Sequence, residues 1–262
     1  MVGFQFRSAV VACAALLLLA SCSSPPASAP GSSGADEVSG PVVVFAAASL
    51  TEAFTALGDE FEARHPGASI TFNFGSSAAL AQQIAAGAPA DVFAAANRAA
   101  MGVVSEAGMV RGEPAVFARN SLRIAVPAGN PAGITGLADF ARRDLTVALC
   151  APEVPCGALS TQVFETAGIS PAPDTLEQDV KAALVKVEQD EVDCALVYRT
   201  DITAAAGQVD GIDFPGATEA VTDYPIAALT GAPNPTAAEA FGDFVRGSDG
   251  RAELAALGFD VG

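Results

Sequence analysis

The chain has 262 residues, of which 51% are hydrophobic, and its formal net charge at pH 7 is −17. A chain of this length and apolar content can bury a large core in one or two domains. The acidic balance argues against nucleic acid as a partner, because no basic patch is available to neutralise phosphates. The single histidine, His65, argues against a Ser-His-Asp triad and against a zinc site.

Residues 1–21 have the pattern of an export signal. Arg7 gives a positive start, and the apolar run that follows is too short to cross a bilayer. Residues 19–22 (LASC) resemble the bacterial lipobox, which predicts that Cys22 carries a lipid and anchors the chain to the outer face of the cell membrane. Residues 22–40 are rich in Ser, Pro, Ala and Gly and are predicted to form a flexible tether.

From residue 41 onward, strand and helix patterns alternate. Strands are predicted near 41–46, 70–74 and 91–95, and helices near 50–64, 78–86 and 97–107. This order predicts an α/β domain with a mostly parallel sheet. Ligands of such sheets bind at the carboxyl ends of the strands.

Two of these strand-to-helix turns carry hydroxyl groups. In residues 45–51 (FAAASLT), Ser49 stands three residues before Glu52, and this capping-box spacing predicts Ser49 at the helix N-cap. Residues 74–77 (FGSS) repeat the arrangement. Free N–H groups and the helix dipole favour anions at such turns, so the pair indicates one shared anion site. The alternative for each turn is an ordinary capped helix without a ligand.

A second α/β unit is predicted after a strand near 122–126. Its strands are expected at 145–150 and 192–198, and its helices at 158–167 and 180–188. A new strand begins near 223, and two terminal helices follow at about 235–246 and 249–257. We therefore expect one lobe from 41–120 with 223–262, a second lobe from 121–222, and two crossings between them.

Three further segments could contribute to a site. Residues 152–157 (PEVPCG) form a turn before a helix, residues 177–180 (EQDV) open another helix, and residues 198–201 (YRTD) put a phenol at the end of a strand. Each also has an ordinary explanation: a β-turn, a capped helix and an interfacial tyrosine.

Cys150, Cys156 and Cys194 follow the tether, in an exported and therefore oxidising context. Because Cys150 and Cys156 flank a proline-rich turn, we predict a disulfide between them. Cys194 lies in an apolar strand pattern and is expected to be a buried free thiol.

Four segments now resemble the signature of a known family. Residues 45–51, 74–77, 87–93 (GAPADVF) and 197–201 (VYRTD), in this order and spacing, resemble the molybdate-binding proteins of bacterial ABC importers. The resemblance extends from about residue 41 to 259. It implies a type II periplasmic-binding-protein fold, with two α/β lobes joined by a two-crossing hinge. It also implies capture of molybdate, and of tungstate too, for an ABC importer permease.

The resemblance implies a ligand set as well. Ser49 and Ser77 would bind the oxyanion through their hydroxyls and nearby backbone N–H groups. Cys156 and Val180 would act through backbone N–H groups, and Tyr198 through its hydroxyl. The family commonly has alanine at the position of Cys156, a change that a backbone donor tolerates.

Such a shell offers neutral donors and contains no Lys, Arg or carboxylate. It suits an anion without a proton, because the proton of hydrogen phosphate would find no acceptor, at a cost of ~1–3 kcal/mol. The donors do not separate molybdate from sulfate. Alternatives are therefore a protein for sulfate or for a ferric complex, an enzyme on the same fold, or a structural lipoprotein. We expect a monomeric binding protein without a cofactor and without enzymatic activity.

Overall fold

The structure, a computed structural model, describes residues 38–262. The predicted signal segment, the lipidated Cys22 and the tether up to residue 37 lie outside these residues. In the part that is described, no helix has the length and apolar character needed to cross a membrane.

Strands and helices alternate along the described chain. Residues 38–262 contain nine strands: β1 (Gly40–Ala47), β2 (Ala68–Gly75), β3 (Val92–Ala94), β4 (Ala115–Pro127), β5 (Val147–Cys150), β6 (Thr175–Glu177), β7 (Cys194–Tyr198), β8 (Val209–Ile212) and β9 (Val221–Ala228). The same residues form eight α-helices: α1 (Thr51–Arg64), α2 (Ser77–Ala85), α3 (Arg98–Glu106), α4 (Pro155–Ala167), α5 (Val180–Glu188), α6 (Arg199–Ala204), α7 (Pro235–Arg246) and α8 (Ser248–Ala256). Every predicted strand and helix is present, whereas β6, α6 and β8 were not predicted.

The strands hydrogen-bond in the order β2-β1-β3-β9-β4-β7-β5-β6, and β8 pairs with β4. The strands that lead into helices pair in parallel, β1 with β2 and β3, and β5 with β6 and β7. By contrast, β4 and β9 pair antiparallel with their neighbours. The prediction of a mostly parallel sheet is therefore wrong for β4, β8 and β9, because β4 runs from one half of the sheet into the other and pairs antiparallel with strands of both halves.

The long strand β4 is the first crossing. Its residues 115–121 pair with β9, and its residues 122–127 pair with β7 and β8. At the switch, the Leu122 N–H donates to the Ala220 carbonyl, 3.3 Å away, just before β9 begins. The two crossings therefore lie side by side, as a two-crossing hinge requires.

The buried apolar residues form separate cores on either side of these crossings. One core is drawn only from residues 122–214, and the others are drawn from residues 42–118 and 224–259. The predicted apolar face of α1 consists of Phe54, Leu57 and Phe61. All three are fully buried in the core drawn from residues 42–118 and 224–259. We propose that these cores mark the two lobes, and call residues 41–120 with 223–262 the first lobe and 121–222 the second lobe.

Candidate functional site

One small cavity lies between the two lobes. Its volume is about 20 Å³, little more than the space that a single water needs. It is lined by Ala47, Ala48, Ser49, Gly75, Ser76, Ser77, Ala96, Pro155, Cys156, Asp179, Val180 and Tyr198. All five residues of the predicted ligand set are among them, and each is at most 4% exposed.

Helix N-termini surround this cavity. Ser77 is the first residue of α2, Val180 is the first residue of α5, and Cys156 is the second residue of α4. The first N–H groups of a helix have no partner within the helix, and its dipole is positive at that end. These three helix ends therefore favour an anion, although none of the lining residues is Lys or Arg.

Ser49 does not cap α1, and that prediction is wrong. Residues Ala48–Leu50 form a 3₁₀ turn, so α1 begins at Thr51 with Leu50 at its N-cap and without a side-chain cap. The Ser49 hydroxyl instead shares a buried 2.8 Å hydrogen bond with the hydroxyl of Tyr224 on β9. Tyr224 thus fixes the position of the Ser49 hydroxyl through this hydrogen bond, and no local sequence pattern could reveal that role.

The two serines before α2 differ in their hydrogen bonds. The Ser77 hydroxyl oxygen accepts from the Ala96 N–H at 3.0 Å, which leaves its proton free to donate to a ligand. The Ser76 hydroxyl also borders the cavity, is buried, and has no hydrogen-bond partner among residues 38–262. The sequence pattern indicated only Ser77, and Ser76 is a further candidate donor.

Tyr198 presents the second unpaired hydroxyl. The residue is 1% exposed, and its hydroxyl has no hydrogen-bond partner in the described chain. Burial raises the pKa of Tyr198 well above its ordinary value, so the phenol keeps its proton and can only donate or accept as a neutral group. A buried polar group without a partner is costly in the empty protein, and a bound ligand would satisfy it.

A disulfide shapes the second-lobe side of the cavity. Cys150, at the end of β5, is bonded to Cys156 in the first turn of α4. The next residue, Gly157, has no room for a side chain, because a Cβ there would lie 1.9 Å from the Ala151 carbonyl oxygen. Cys194 is free and buried, and burial raises the pKa of its thiol to about 12, so it is inert.

One lining residue contradicts the expected shell. Asp179 borders the cavity, whereas the resemblance implied a shell without a carboxylate. The reason is local: Asp179 is the N-cap of α5, so it lies at the same helix N-terminus as Val180, and its Oδ1 accepts from the Ala182 N–H at 3.0 Å. Within residues 38–262, no three His, Cys, Asp or Glu side chains are grouped so that they could hold a metal ion.

A family profile described as bacterial extracellular solute-binding protein matches residues 42–260. The chain belongs to this family. This solute-binding protein is 40% identical over 234 residues to the molybdate-binding protein ModA of Mycobacterium tuberculosis, covering 88% of this chain and 90% of that one. The resemblance noted from the four segments is thereby confirmed.

Solved structures share the fold of this solute-binding protein. The periplasmic molybdate-binding protein of Azotobacter vinelandii superposes with a TM-score of 0.70 at 21% identity, over 84% of this chain and 99% of that one. The sulfate-binding protein SubI of Mycobacterium tuberculosis gives 0.73 at 19% identity, over 84% and 86%. These likenesses concern the fold, and the predicted fold class is confirmed.

Proposed function

We propose that this protein captures molybdate outside the cytoplasm and delivers it to the permease of an ABC importer. The observation that carries the proposal is that two buried hydroxyls without a partner, those of Ser76 and Tyr198, line one cavity together with residues from the first turns of α2, α4 and α5. A small oxyanion can accept hydrogen bonds from such uncharged donors and so give each of them a partner. The 40% identical ModA relative supports molybdate as that oxyanion.

The charge of the shell favours a fully deprotonated anion. Ser77 and Tyr198 both have protons to donate, and no lysine or arginine lines the cavity. The carboxylate of Asp179 is engaged by the α5 backbone through Oδ1. Oδ2 remains able to accept a proton, so hydrogen phosphate is disfavoured only where Oδ2 points away from the anion; its proton then meets donors, which costs ~1–3 kcal/mol or about one to two decades of affinity.

Tungstate has the same charge and tetrahedral shape as molybdate, and we propose that it binds as well. The Ser76 hydroxyl would be one donor to the anion. The other five ligands would be Ser49, Ser77 and Tyr198 through their hydroxyls, and Cys156 and Val180 through backbone N–H groups. All five residues line the same buried cavity, which supports this set.

The remaining parts of the proposal concern the place of action. The protein would be held at the outer face of the membrane by a lipid on Cys22, with residues 22–40 as its tether, and would act as a monomer. It would be a transport protein and not an enzyme, in keeping with a family of solute-binding proteins.

Titration calorimetry with molybdate, tungstate, sulfate and phosphate tests the proposal. We expect molybdate and tungstate to bind much more tightly than sulfate, and phosphate to bind at least about tenfold more weakly than molybdate. The same order should appear in the rise of the melting temperature with each ligand. Tighter binding of sulfate than of molybdate would overturn the assignment in favour of a sulfate-binding protein.

A further inference from the structure

Lys181 joins the two lobes beside the cavity. It lies in the first turn of α5, directly after Val180, and its side chain is 22% exposed. The Lys181 ammonium is 2.8 Å from Oε1 of Glu52, in the first turn of α1 in the other lobe. It is also 3.2 Å from Oδ1 of Asp201, which belongs to its own lobe. Among the ion pairs of residues 38–262, the pair of Lys181 with Glu52 is the one that connects the lobes.

Each member of this ion triad stands next to a proposed ligand residue. Glu52 follows Ser49 by three residues, and Lys181 follows Val180 directly. Asp201 follows Tyr198 by three residues, and its Oδ2 accepts from the Tyr198 N–H at 3.1 Å. None of the three lines the cavity. The triad therefore connects the three backbone segments without itself lining the cavity.

The two carboxylates of the triad differ in exposure. Asp201 is 1% exposed, and burial raises its pKa to about 6 despite the nearby ammonium of Lys181. Glu52 is half-exposed, with 44% of its side chain accessible. Burial lowers the pKa of Lys181, but the charge of Asp201 and the hydrogen bond to Glu52 outweigh it, so the pKa is raised. The lysine therefore stays charged and is held in place by the carboxylate of its own lobe.

We propose that Glu52, Lys181 and Asp201 form a latch that holds the lobes closed over the bound anion. Asp201 orders the Lys181 ammonium within the second lobe, and the bond to Glu52 forms when the first lobe closes on it. Opening breaks only the contact between Lys181 and Glu52, because Lys181 and Asp201 belong to the same lobe and move together. Lys181 is thus a positioning residue that slows release of the ligand. The latch rests on the proposed function, since it acts on a lobe closure driven by the oxyanion.

The test replaces Glu52 by glutamine, which keeps the size and removes the charge. Release of radiolabelled molybdate is followed after a chase with excess unlabelled molybdate, at low and at high salt. We expect Glu52→Gln to release molybdate about two- to fivefold faster than the wild type at low salt, in line with the strength of exposed ion pairs. The difference should shrink at high salt, where the pair is screened.

The matched control is Glu60→Gln on the same helix. Glu60 pairs with Arg64 inside the first lobe, so its loss should leave the release rate unchanged. In a Lys181→Met background, Glu52→Gln should have no further effect on release, because the latch is already broken. An unchanged rate in Glu52→Gln, or an equal effect of Glu52→Gln with and without Lys181, overturns the latch. If the wild type binds no molybdate, the proposed function falls and the latch falls with it.

Discussion

Tyr198→Phe is expected to weaken molybdate binding by about ten- to a hundredfold and to leave the ligand-free protein at least as stable as the wild type. The lost hydroxyl would donate to a charged ligand, and hydrogen bonds to charged groups contribute about 1.5–3 kcal/mol. Without a ligand, the same hydroxyl is buried without a partner, so its removal eliminates the unfavourable desolvation free energy of that group. Calorimetry gives the affinity, and urea denaturation gives the free energy of unfolding.

Tyr224→Phe is the matched control for this substitution. The Tyr224 ring lies 6.1 Å from that of Tyr198, but its hydroxyl is paired with the Ser49 hydroxyl. Its loss should therefore lower the free energy of unfolding by about 0.5–1.5 kcal/mol, unlike the loss of the Tyr198 hydroxyl. An affinity of Tyr198→Phe equal to that of the wild type would remove Tyr198 from the ligand set.

Gly157→Ala is expected to weaken binding more than about tenfold and to destabilise the fold by about 1–3 kcal/mol, as overpacking does. The added Cβ would lie 1.9 Å from the Ala151 carbonyl oxygen and 2.7 Å from that of Cys150. The backbone has little freedom to yield, since the disulfide of Cys150 with Cys156 ties the same two segments together. The start of α4 must move, and the Cys156 N–H moves with it.

Gly102→Ala in α3 provides the control. Gly102 is also a helical glycine, but a Cβ there would meet no atom within 4 Å. Alanine should stabilise that helix by about 0.5–1 kcal/mol and leave molybdate binding unchanged. If Gly157→Ala behaved like Gly102→Ala in calorimetry and denaturation, the tight approach of Ala151 would have no part in shaping the site.

The elements with a clear period could be predicted from the sequence. The Phe54, Leu57 and Phe61 stripe of α1 gave the correct buried face, because burial of one helix face is a local, periodic signal. The short elements β6, β8 and α6 have too few residues to show a period. The strands β6 and β8 form because β5 and β4 supply their hydrogen bonds, whereas the short helix α6 forms its hydrogen bonds within its own backbone.

The site divides in the same way. Residues at strand-to-helix turns could be placed from local sequence, since the fold brings all such turns of one sheet edge together. The hydrogen-bond partner of the Ser49 hydroxyl, Tyr224, is 175 residues away. The hydroxyl binds this distant partner and does not form the helix cap that the local capping-box spacing predicted. Glu52 and Lys181 are 129 residues apart, and no local sequence pattern predicts their contact either.

A crystal structure of the protein grown with molybdate tests the central claim most directly. The account predicts one tetrahedral anion, marked by the anomalous signal of molybdenum, in the cavity between the lobes. Its oxygens should lie within hydrogen-bond distance of the Ser77 and Tyr198 hydroxyls and of the Val180 N–H. Molybdenum bound instead by arginine side chains elsewhere on the protein, with this cavity empty, would contradict it.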